Sequence, residues 1–211
     1  MVWDSVSTAA RIFWRRVGVL VLGNLLWLAL SLPIVTWPSA TAGLYSLVRR
    51  VVAEELDGDP YEAHIGDFWE GFKAHGIRGS LLALLDLAGL GVIVIALNFY
   101  GRNAAEPLRW LVGPIGLIGL VWLGAQLYVF PLLLQRLAYR PWDIMREALL
   151  IAVGYPLSTL SLLLTSLILA VAAVLLAGPV LFVFFSAMAM VQTVALRQVL
   201  IQRGEVGEVR P

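Results

Sequence analysis

Long apolar runs recur along the entire chain, and they restrict its possible folds more than any other feature of the sequence. Five runs are clear, at residues 17–35, 81–100, 110–134, 149–176 and 180–196. Each approaches or exceeds the roughly 20 residues that an α-helix needs to cross a hydrocarbon core about 30 Å thick. Backbone in lipid must satisfy its hydrogen bonds internally, so runs of this length favour membrane-spanning helices.

The composition supports embedding in a membrane. Hydrophobic residues make up 60% of the 211 residues and charged residues only 14%, whereas a soluble domain carries about a quarter charged residues. The chain therefore has too little polar surface to cover a water-soluble globule of this size. Its length, and the lack of a Ser/Gly linker, indicate one integral membrane domain over residues 1–211.

A sixth element is predicted at residues 38–52, where small side chains are common. The Lys and Arg residues indicate whether this stretch returns through the membrane, because short cytoplasmic loops collect them. If it returns, all 15 Lys and Arg residues fall on one side except Arg102 and Arg109. If it does not, the three arginines at residues 11–16 change sides. We therefore predict an all-α polytopic bundle of six helices, the second one short, with both termini cytoplasmic.

Two prolines mark the turn that this topology requires. Pro33 disfavours helix at the residue before it and can end the first helix. Pro38 suits the first turn of the next helix, where its missing N–H would have no partner anyway. We predict that Pro33, Thr36 and Pro38 form this turn. The short helix after it is predicted to pack inside the bundle through its small side chains.

The polar stretch between the second and third elements contains an apolar helical stripe. Ile65, Phe68, Trp69 and Phe72 follow an i, i+3, i+4, i+7 spacing, with charged residues elsewhere around the helix. The pattern predicts a separate amphipathic helix at the cytoplasmic interface. Its apolar face either anchors the protein in that interface or docks a partner protein, and both interpretations stay open.

The order of these features suggests a threefold internal repeat. A polar amphipathic lead-in, a span, a turn marked by Pro or Gly, and a returning span that ends in arginine occur at residues 4–56, 64–140 and 142–203. Helical hairpins inserted from one side of the membrane would produce the same pattern without common ancestry.

Asp86 is the one acidic residue well inside a predicted span. A charge there costs about 2.5–3.5 kcal/mol on insertion scales, so such a carboxylate is a functional candidate by default. Gly79 and Ala83 share its helical face, which predicts that Asp86 points into the bundle. It either couples the movement of a proton or cation, clamps two helices through a hydrogen bond, or lies near the interface.

Several amide side chains in or near the predicted spans are further ligand candidates. They could contribute to a sugar-sized polar pocket, although interhelical hydrogen bonds are the commoner use of such residues. The candidates are Asn24, Asn98, Gln126, Gln135 and Gln192.

The sequence contains few residues that could hold a metal or a cofactor or act as a nucleophile. The chain has no cysteine, and His64 and His75 would lie about 16 Å apart along one helix, too far to share an ion. No phosphate-loop, hydrolase or zinc-protease motif occurs, and the net charge of +1 disfavours nucleic-acid binding. We therefore expect no catalytic residue, no metal, no cofactor and no nucleic-acid partner.

Two stretches of the chain resemble a known family. The first is NLLWLALSLPIVTWPSATAGLYSLVRR at residues 24–50, and the second is DFWEGFKAH at residues 67–75. Both are similar to the YesL-like family of bacterial integral membrane proteins, also described as domain of unknown function 624. Trp37 departs from this pattern, since a small residue, commonly glycine, is expected there.

The resemblance implies a protein of the bacterial cytoplasmic membrane with an accessory role in saccharide import, because such proteins tend to be encoded near carbohydrate uptake and sugar-responsive regulatory systems. We predict from it a non-enzymatic accessory or scaffold protein. Its expected partners are the lipid bilayer and subunits of a carbohydrate importer or its sensor. The alternative is a small transporter or channel that uses Asp86 and the amides. The oligomeric state stays open.

Overall fold

The computed structural model describes residues 2–103, 105–175 and 181–205, and within these ranges it contains helices and no strand. The α-helices of this part of the chain are α1 (Val2–Arg15), α2 (Val17–Ser31), α3 (Trp37–Val52), α4 (Gly66–Asn98), α5 (Val112–Gln135), α6 (Pro141–Gly154), α7 (Pro156–Leu175) and α8 (Leu181–Gln202). Short 3₁₀ or π segments extend or join them at Ile34–Thr36, Ala53–Asp57, Phe99–Asn103 and Glu106–Leu111. The prediction of an all-α fold is confirmed.

Four helices of the described ranges are long and apolar enough to cross a membrane: α4, α5, α7 and α8. The helices α1 and α2 meet at a bend of 94°, and they add a fifth span only if this bent pair is counted as one. α3 has only 16 residues and is about 24 Å long at 1.5 Å per residue. It is therefore the short second element that the sequence predicts.

The chain doubles back between α2 and α3, as the proline pair and the arginines predict. Trp27 Nε1 donates a hydrogen bond to Thr41 Oγ1 at 3.1 Å. Gly23, one turn earlier in α2, lies against Leu47, which comes later in α3. Because these contacts move in opposite directions along the two helices, α2 and α3 are antiparallel.

α3 packs closely against the first half of α4 through small residues. A Cβ atom added at Gly71 of α4 would overlap Cβ of Ser46 in α3. In the reverse direction, a Cβ atom added at Gly43 of α3 would lie 2.7 Å from the carbonyl oxygen of Phe68. Small residues let two backbones approach where lipid supplies no hydrophobic drive, so this seam holds α3 against α4.

The centre of the bundle is formed by α3, α8 and the second half of α5. Most residues of α3 are buried, and the Tyr45 hydroxyl donates to Oε1 of Gln192 in α8. Tyr128 and Leu132 of α5 are buried in the same core. The short helix therefore lies inside the bundle, as predicted.

The second half of α4 and the first half of α5 leave this core. Only 6% of the most apolar 18-residue stretch of α4 is buried, against 61% for α8. Leu84 and Ile95 of α4 and Leu117 of α5 are among the large apolar side chains that are exposed. A surface of this kind would be exceptional on a soluble monomer, whereas in a bilayer it faces lipid or another membrane helix.

The structure of the amphipathic stretch at residues 65–72 differs from the predicted architecture in one detail. It is not a separate interfacial helix, because α4 continues without a break from Gly66 to Asn98. The apolar side of this stretch packs against α3, whose small residues leave room for the Phe68 ring. The amphipathic pattern is real, and another helix of the same chain covers it.

An amphipathic helix that lies across the bundle does occur at the start of the chain. α1 turns by 94° from α2 and packs against α8. It buries Ala9 and Ile12 and leaves Arg11 and Arg15 exposed. From the sequence, this stretch is predicted only as a polar lead-in to the first span.

The apolar run predicted at residues 149–176 is divided between two helices. α6 ends at Gly154 and α7 begins at Pro156, because proline lacks the N–H that would continue the helix and its ring clashes with the preceding turn. α6 buries Ile144 and Ala148 and packs against α5. The threefold repeat stays a prediction.

Candidate functional site

Asp86 lies in the second half of α4, half-buried beside α5. Trp122 Nε1 of α5 donates a hydrogen bond to Asp86 Oδ1 at 2.8 Å. The indole ring also covers Gly89, where an added Cβ atom would overlap it. Asp86 and Gly89, one turn apart on α4, thus both contact the Trp122 side chain. This arrangement favours the interpretation that Asp86 clamps two helices through a hydrogen bond.

The amides do not assemble into one pocket. Asn24 Oδ1 accepts a hydrogen bond from the backbone N–H of Ser186 at 3.1 Å, which joins α2 to α8. Gln192 accepts the hydrogen bond of Tyr45, which joins α8 to α3. Asn98 is exposed at the end of α4. The first two amides therefore serve as separate interhelical contacts, and the third is remote from them.

The two remaining amides lie on α5. Gln126 follows Trp122 by one helical turn, and its Nε2 is buried without a hydrogen-bond partner among the described residues. Gln135 ends the helix and lines a polar cavity at that end.

The predicted turn residues close the α2–α3 hairpin. Pro38 lies in the first turn of α3, and Pro33 precedes the short 3₁₀ segment between the helices. The Thr36 hydroxyl lies 2.8 Å from the carbonyl oxygen of Pro33 and also contacts that of Leu30. Thr36 therefore ties the end of α2 to the beginning of α3.

The four residues predicted to dock a partner do not form an exposed face. Phe68 is fully buried, and Ile65 and Phe72 are partly buried in the same apolar cluster. Of the four, Trp69 is the exposed one. α3 covers much of the face that they share, and the docking of a partner through these residues stays a prediction.

Most ion pairs of the described residues gather at one end of the bundle, here named the arginine end. It comprises the start of α4, the ends of α3, α5 and α8, and the segments beside them. Arg197 pairs with Asp57, and Arg136 pairs with both Glu147 and Glu205. The sequence predicts that these arginines lie on one side of the membrane. Their partners cannot be predicted from it, because most of these pairs join residues far apart in the chain.

Asp67 organises a second polar cluster at the arginine end. It is buried and accepts hydrogen bonds from the backbone N–H of His64 at 2.9 Å and from the Tyr61 hydroxyl at 3.2 Å. The Arg50 guanidinium lies over the Tyr61 ring, 5.1 Å from its centroid. Desolvation and the charge of Asp67 raise the pKa of the Tyr61 hydroxyl. The cluster fastens the segment before α4 to the end of α3.

Two cavities at the arginine end are polar. One of about 400 Å³ is lined by Asp143, Arg146, Glu147 and Arg203 among others. The other, of about 340 Å³, lies between the ends of α3, α5 and α8 and is lined by Arg49, Arg136 and Arg197 together with Asp57, Thr193 and Glu205. Charged side chains from three different helices meet at this second cavity.

A third cavity, of about 290 Å³, is apolar and lies between α1, α7 and α8, with Phe13, Leu169 and Met190 among its lining residues. None of these three cavities is lined by Asp86 or Asn24. Within the described residues, no group of three or more His, Asp or Glu side chains could hold a metal ion.

One family model matches part of the chain. Residues 20–98 match the family described as "Protein of unknown function, DUF624". This range contains most of α2, all of α3 and α4, the turn at Pro33–Pro38 and the small-residue seam between α3 and α4. No curated protein and no solved structure matches the chain.

Proposed function

Since residues 20–98 match the DUF624 family of proteins of unknown function and the chain is a helical bundle with helices long and apolar enough to cross a membrane, we propose that it is a non-enzymatic accessory component of a larger membrane assembly. The observation that carries this proposal is the exposed face of the second half of α4. The assembly that we propose is a carbohydrate importer or its sensor, and this choice is supported by the resemblance of residues 24–50 and 67–75 to YesL-like proteins.

One stripe along α4 suits a partner helix. Leu84, Ala88, Gly91, Ile95 and Asn98 recur at alternating spacings of four and three residues, so they lie on one side of the helix. None of them is buried, and a Cβ atom added at Gly91 would meet no atom within 4 Å. Small residues at the middle of the stripe permit a second helix to approach closely, and Asn98 offers an interhelical hydrogen bond near one end.

The polar residues inside the bundle also support an accessory role. Asn24 and Gln192 hydrogen-bond to neighbouring helices, and Asp86 accepts the hydrogen bond of Trp122. The alternative, a small transporter or channel, draws on the half-buried Asp86 carboxylate in an otherwise apolar helix. It is less well supported, because Asp86 lines none of the three cavities described above.

Photo-crosslinking in native bacterial membranes tests the accessory role. A photoreactive amino acid at position 91 of the full chain should give a discrete adduct with another membrane protein, and a subunit of a carbohydrate importer is the expected identity. The same probe at position 168 is the matched control, since Ile168 of α7 is also apolar and exposed. We expect only lipid adducts from position 168.

Two outcomes of this experiment contradict the proposal. Lipid adducts alone from position 91, or the same protein adduct from both positions, would remove the accessory role through α4. A specific partner unrelated to carbohydrate uptake would retain the accessory role and overturn the proposed importer or sensor.

The transport alternative has its own test in proteoliposomes. If the reconstituted wild-type protein moves protons or a solute and Asp86→Asn abolishes that flux, transport replaces the accessory role as the better proposal. Equal flux with and without the substitution, or no flux above that of empty vesicles, counts against transport through Asp86.

A further inference from the structure

The polar cavity between the ends of α3, α5 and α8 collects guanidinium groups from three parts of the chain. Arg49 comes from the last turn of α3, Arg136 follows the last residue of α5, and Arg197 comes from α8. Arg197 is buried. The volume of about 340 Å³ falls within the range of small-ligand sites, about 300–1,000 Å³.

Among the described residues the lining of this cavity is positive. Its two carboxylates, Asp57 and Glu205, face three arginines. Asp57 pairs with Arg197, and Glu205 pairs with Arg136, which also pairs with Glu147 from outside this lining. Arg49 is the lining arginine that has no carboxylate partner among the described residues.

Arg49 and Arg136 also carry unused hydrogen-bond donors. A guanidinium has five N–H donors. Arg49 donates to the carbonyl oxygen of Leu134, near the end of α5, where the helix dipole favours a cation. The Nε of Arg136 is buried and has no hydrogen-bond partner among the described residues. Surplus donors and surplus positive charge around one cavity favour an anion with several acceptor oxygens.

The Asp57 carboxylate lies nearer to solvent than the guanidinium with which it pairs, and Arg49 is itself exposed. The side chain of Asp57 is 50% exposed, whereas that of its partner Arg197 is 9% exposed. Both carboxylates adjoin a glycine with positive φ, Gly58 at 66° and Gly204 at 72°, at points where the chain leaves a helix. An anion that enters from solvent can therefore displace them from the arginines while the helices stay in place.

The neighbouring polar cavity provides a comparison within the same molecule. Its lining contains Arg146 and Arg203 against Asp143 and Glu147, so cations and carboxylates balance. The surplus charge belongs to the cavity at Arg49, and it is not a general property of the arginine end.

We propose that the cavity lined by Arg49, Arg136 and Arg197 binds a phosphate-bearing anion, either the headgroup of an anionic phospholipid or a soluble phosphate ester. A phosphate group offers several acceptor oxygens and forms bidentate pairs with guanidinium groups. Basic sites between membrane helices at the cytoplasmic side bind anionic lipid headgroups. The site is independent of the role proposed for α4, since it uses the opposite half of the bundle.

Binding is measured on the full chain in nanodiscs of neutral phosphatidylcholine with glycerol 3-phosphate as the soluble probe, and in nanodiscs that contain phosphatidylglycerol as the lipid probe. We expect one probe or both to raise the unfolding temperature of the wild-type protein. Arg49→Gln should weaken the apparent affinity about tenfold, the effect of losing one charge-assisted hydrogen bond. Arg49→Lys should retain part of the response, because it keeps the charge.

Arg78→Gln is the matched control. Arg78 also donates to backbone carbonyl groups just beyond α5, those of Leu137 and Tyr139, and it does not line the cavity. Phosphate salts stabilise many proteins through exclusion from their surfaces, and that general effect should be equal in wild type, Arg49→Gln and Arg78→Gln. Only a response that Arg49→Gln lowers and Arg78→Gln retains supports the site.

The two probes separate the two sources of phosphate. A response to glycerol 3-phosphate in neutral nanodiscs supports a soluble ester, and a response to phosphatidylglycerol alone supports a lipid headgroup. No response of the wild-type protein to either probe, or equal responses of wild type and Arg49→Gln, would overturn the proposal. If Arg49→Gln fails to fold, Ala53→Leu serves in its place, because it narrows the cavity without removing a charge. A response of Ala53→Leu to the probes equal to that of the wild-type protein would also overturn the proposal.

Discussion

Polar side chains inside apolar helices destabilise a membrane protein unless each finds a partner. In this bundle Asp86 accepts from Trp122, Asn24 accepts from the backbone of Ser186, and Tyr45 donates to Gln192. Each of these hydrogen bonds joins two different helices. At the scale of single residues, polar groups thus select which helices become neighbours, and Asp86 is the clearest position at which to measure that effect.

Trp122→Phe should lower the free energy of unfolding by about 1–3 kcal/mol, because the ring on Gly89 is kept while a partly buried carboxylate loses its donor. Adding Asp86→Leu to Trp122→Phe should recover much of this loss, since no polar group is then left unpaired. SDS-induced unfolding in mixed micelles, followed by far-UV circular dichroism, measures both values.

Trp110→Phe is the control for the Asp86 clamp, since Trp110 is 67% exposed and its replacement should change stability little. Equal losses for Trp122→Phe and Trp110→Phe, or a double variant no more stable than Trp122→Phe alone, would show that the hydrogen bond does not hold α4 to α5.

The contact between α3 and α4 is decided at the scale of whole elements. Gly71 packs against the Ser46 side chain, and Gly43 packs against the backbone of Phe68. The two helices therefore approach each other most closely at the positions where side chains are smallest. The same α4 leaves this contact in its second half, where Gly91 meets no atom within 4 Å. One helix therefore carries both a tightly packed glycine and an unpacked one.

Gly71→Ala should destabilise the protein by about 1–3 kcal/mol, the usual cost of adding a methyl group to a close-packed interface. Gly91→Ala, on the same helix, should be neutral or stabilising by up to about 1 kcal/mol, because alanine has the higher helix propensity. Thermal unfolding of the two purified variants beside the wild type gives the comparison. If both substitutions shift the midpoint alike, the α3–α4 seam is looser than described.

At the scale of the whole molecule, the hairpin between α2 and α3 brings the beginning of the chain to the arginine end. Arg16 pairs with Glu54, in the segment that follows the returning helix, while Arg109 pairs with Glu106 in the segment between α4 and α5. Because short cytoplasmic loops collect Lys and Arg, the excess of these residues at the arginine end predicts that this end is cytoplasmic. This orientation can be measured directly, because the chain contains no cysteine.

Single cysteines at Glu62→Cys and Glu106→Cys should report opposite sides of the membrane. The two positions are matched: their side chains are 79% and 86% exposed, and each carboxylate forms an ion pair of 3.1 Å with one arginine. Loss of such an exposed pair costs about 0–1 kcal/mol, so both variants should fold. A membrane-impermeant maleimide should label position 106 in intact cells and position 62 only after permeabilisation. The reverse pattern, or labelling of both in intact cells, would require a different topology.

Composition and apolar runs determined by themselves that this chain is helical and embedded in a membrane, because backbone in lipid has few other ways to satisfy its hydrogen bonds. The prolines and arginines determined the α2–α3 hairpin for a similar reason, since their effects are local or depend only on the side of the membrane. The four-residue stripe at Phe68 shows the limit of such reasoning. Its spacing is the same whether headgroups, a partner or α3 covers it, and only the packed bundle shows that α3 does.

The cavity at Arg49, Arg136 and Arg197 was decided by tertiary structure alone. Its arginines are separated by 61 or more positions in the chain, and they meet only because three helices end at one level with particular rotations about their axes. Periodicity within one helix specifies which residues share a face, and it does not specify what that face meets.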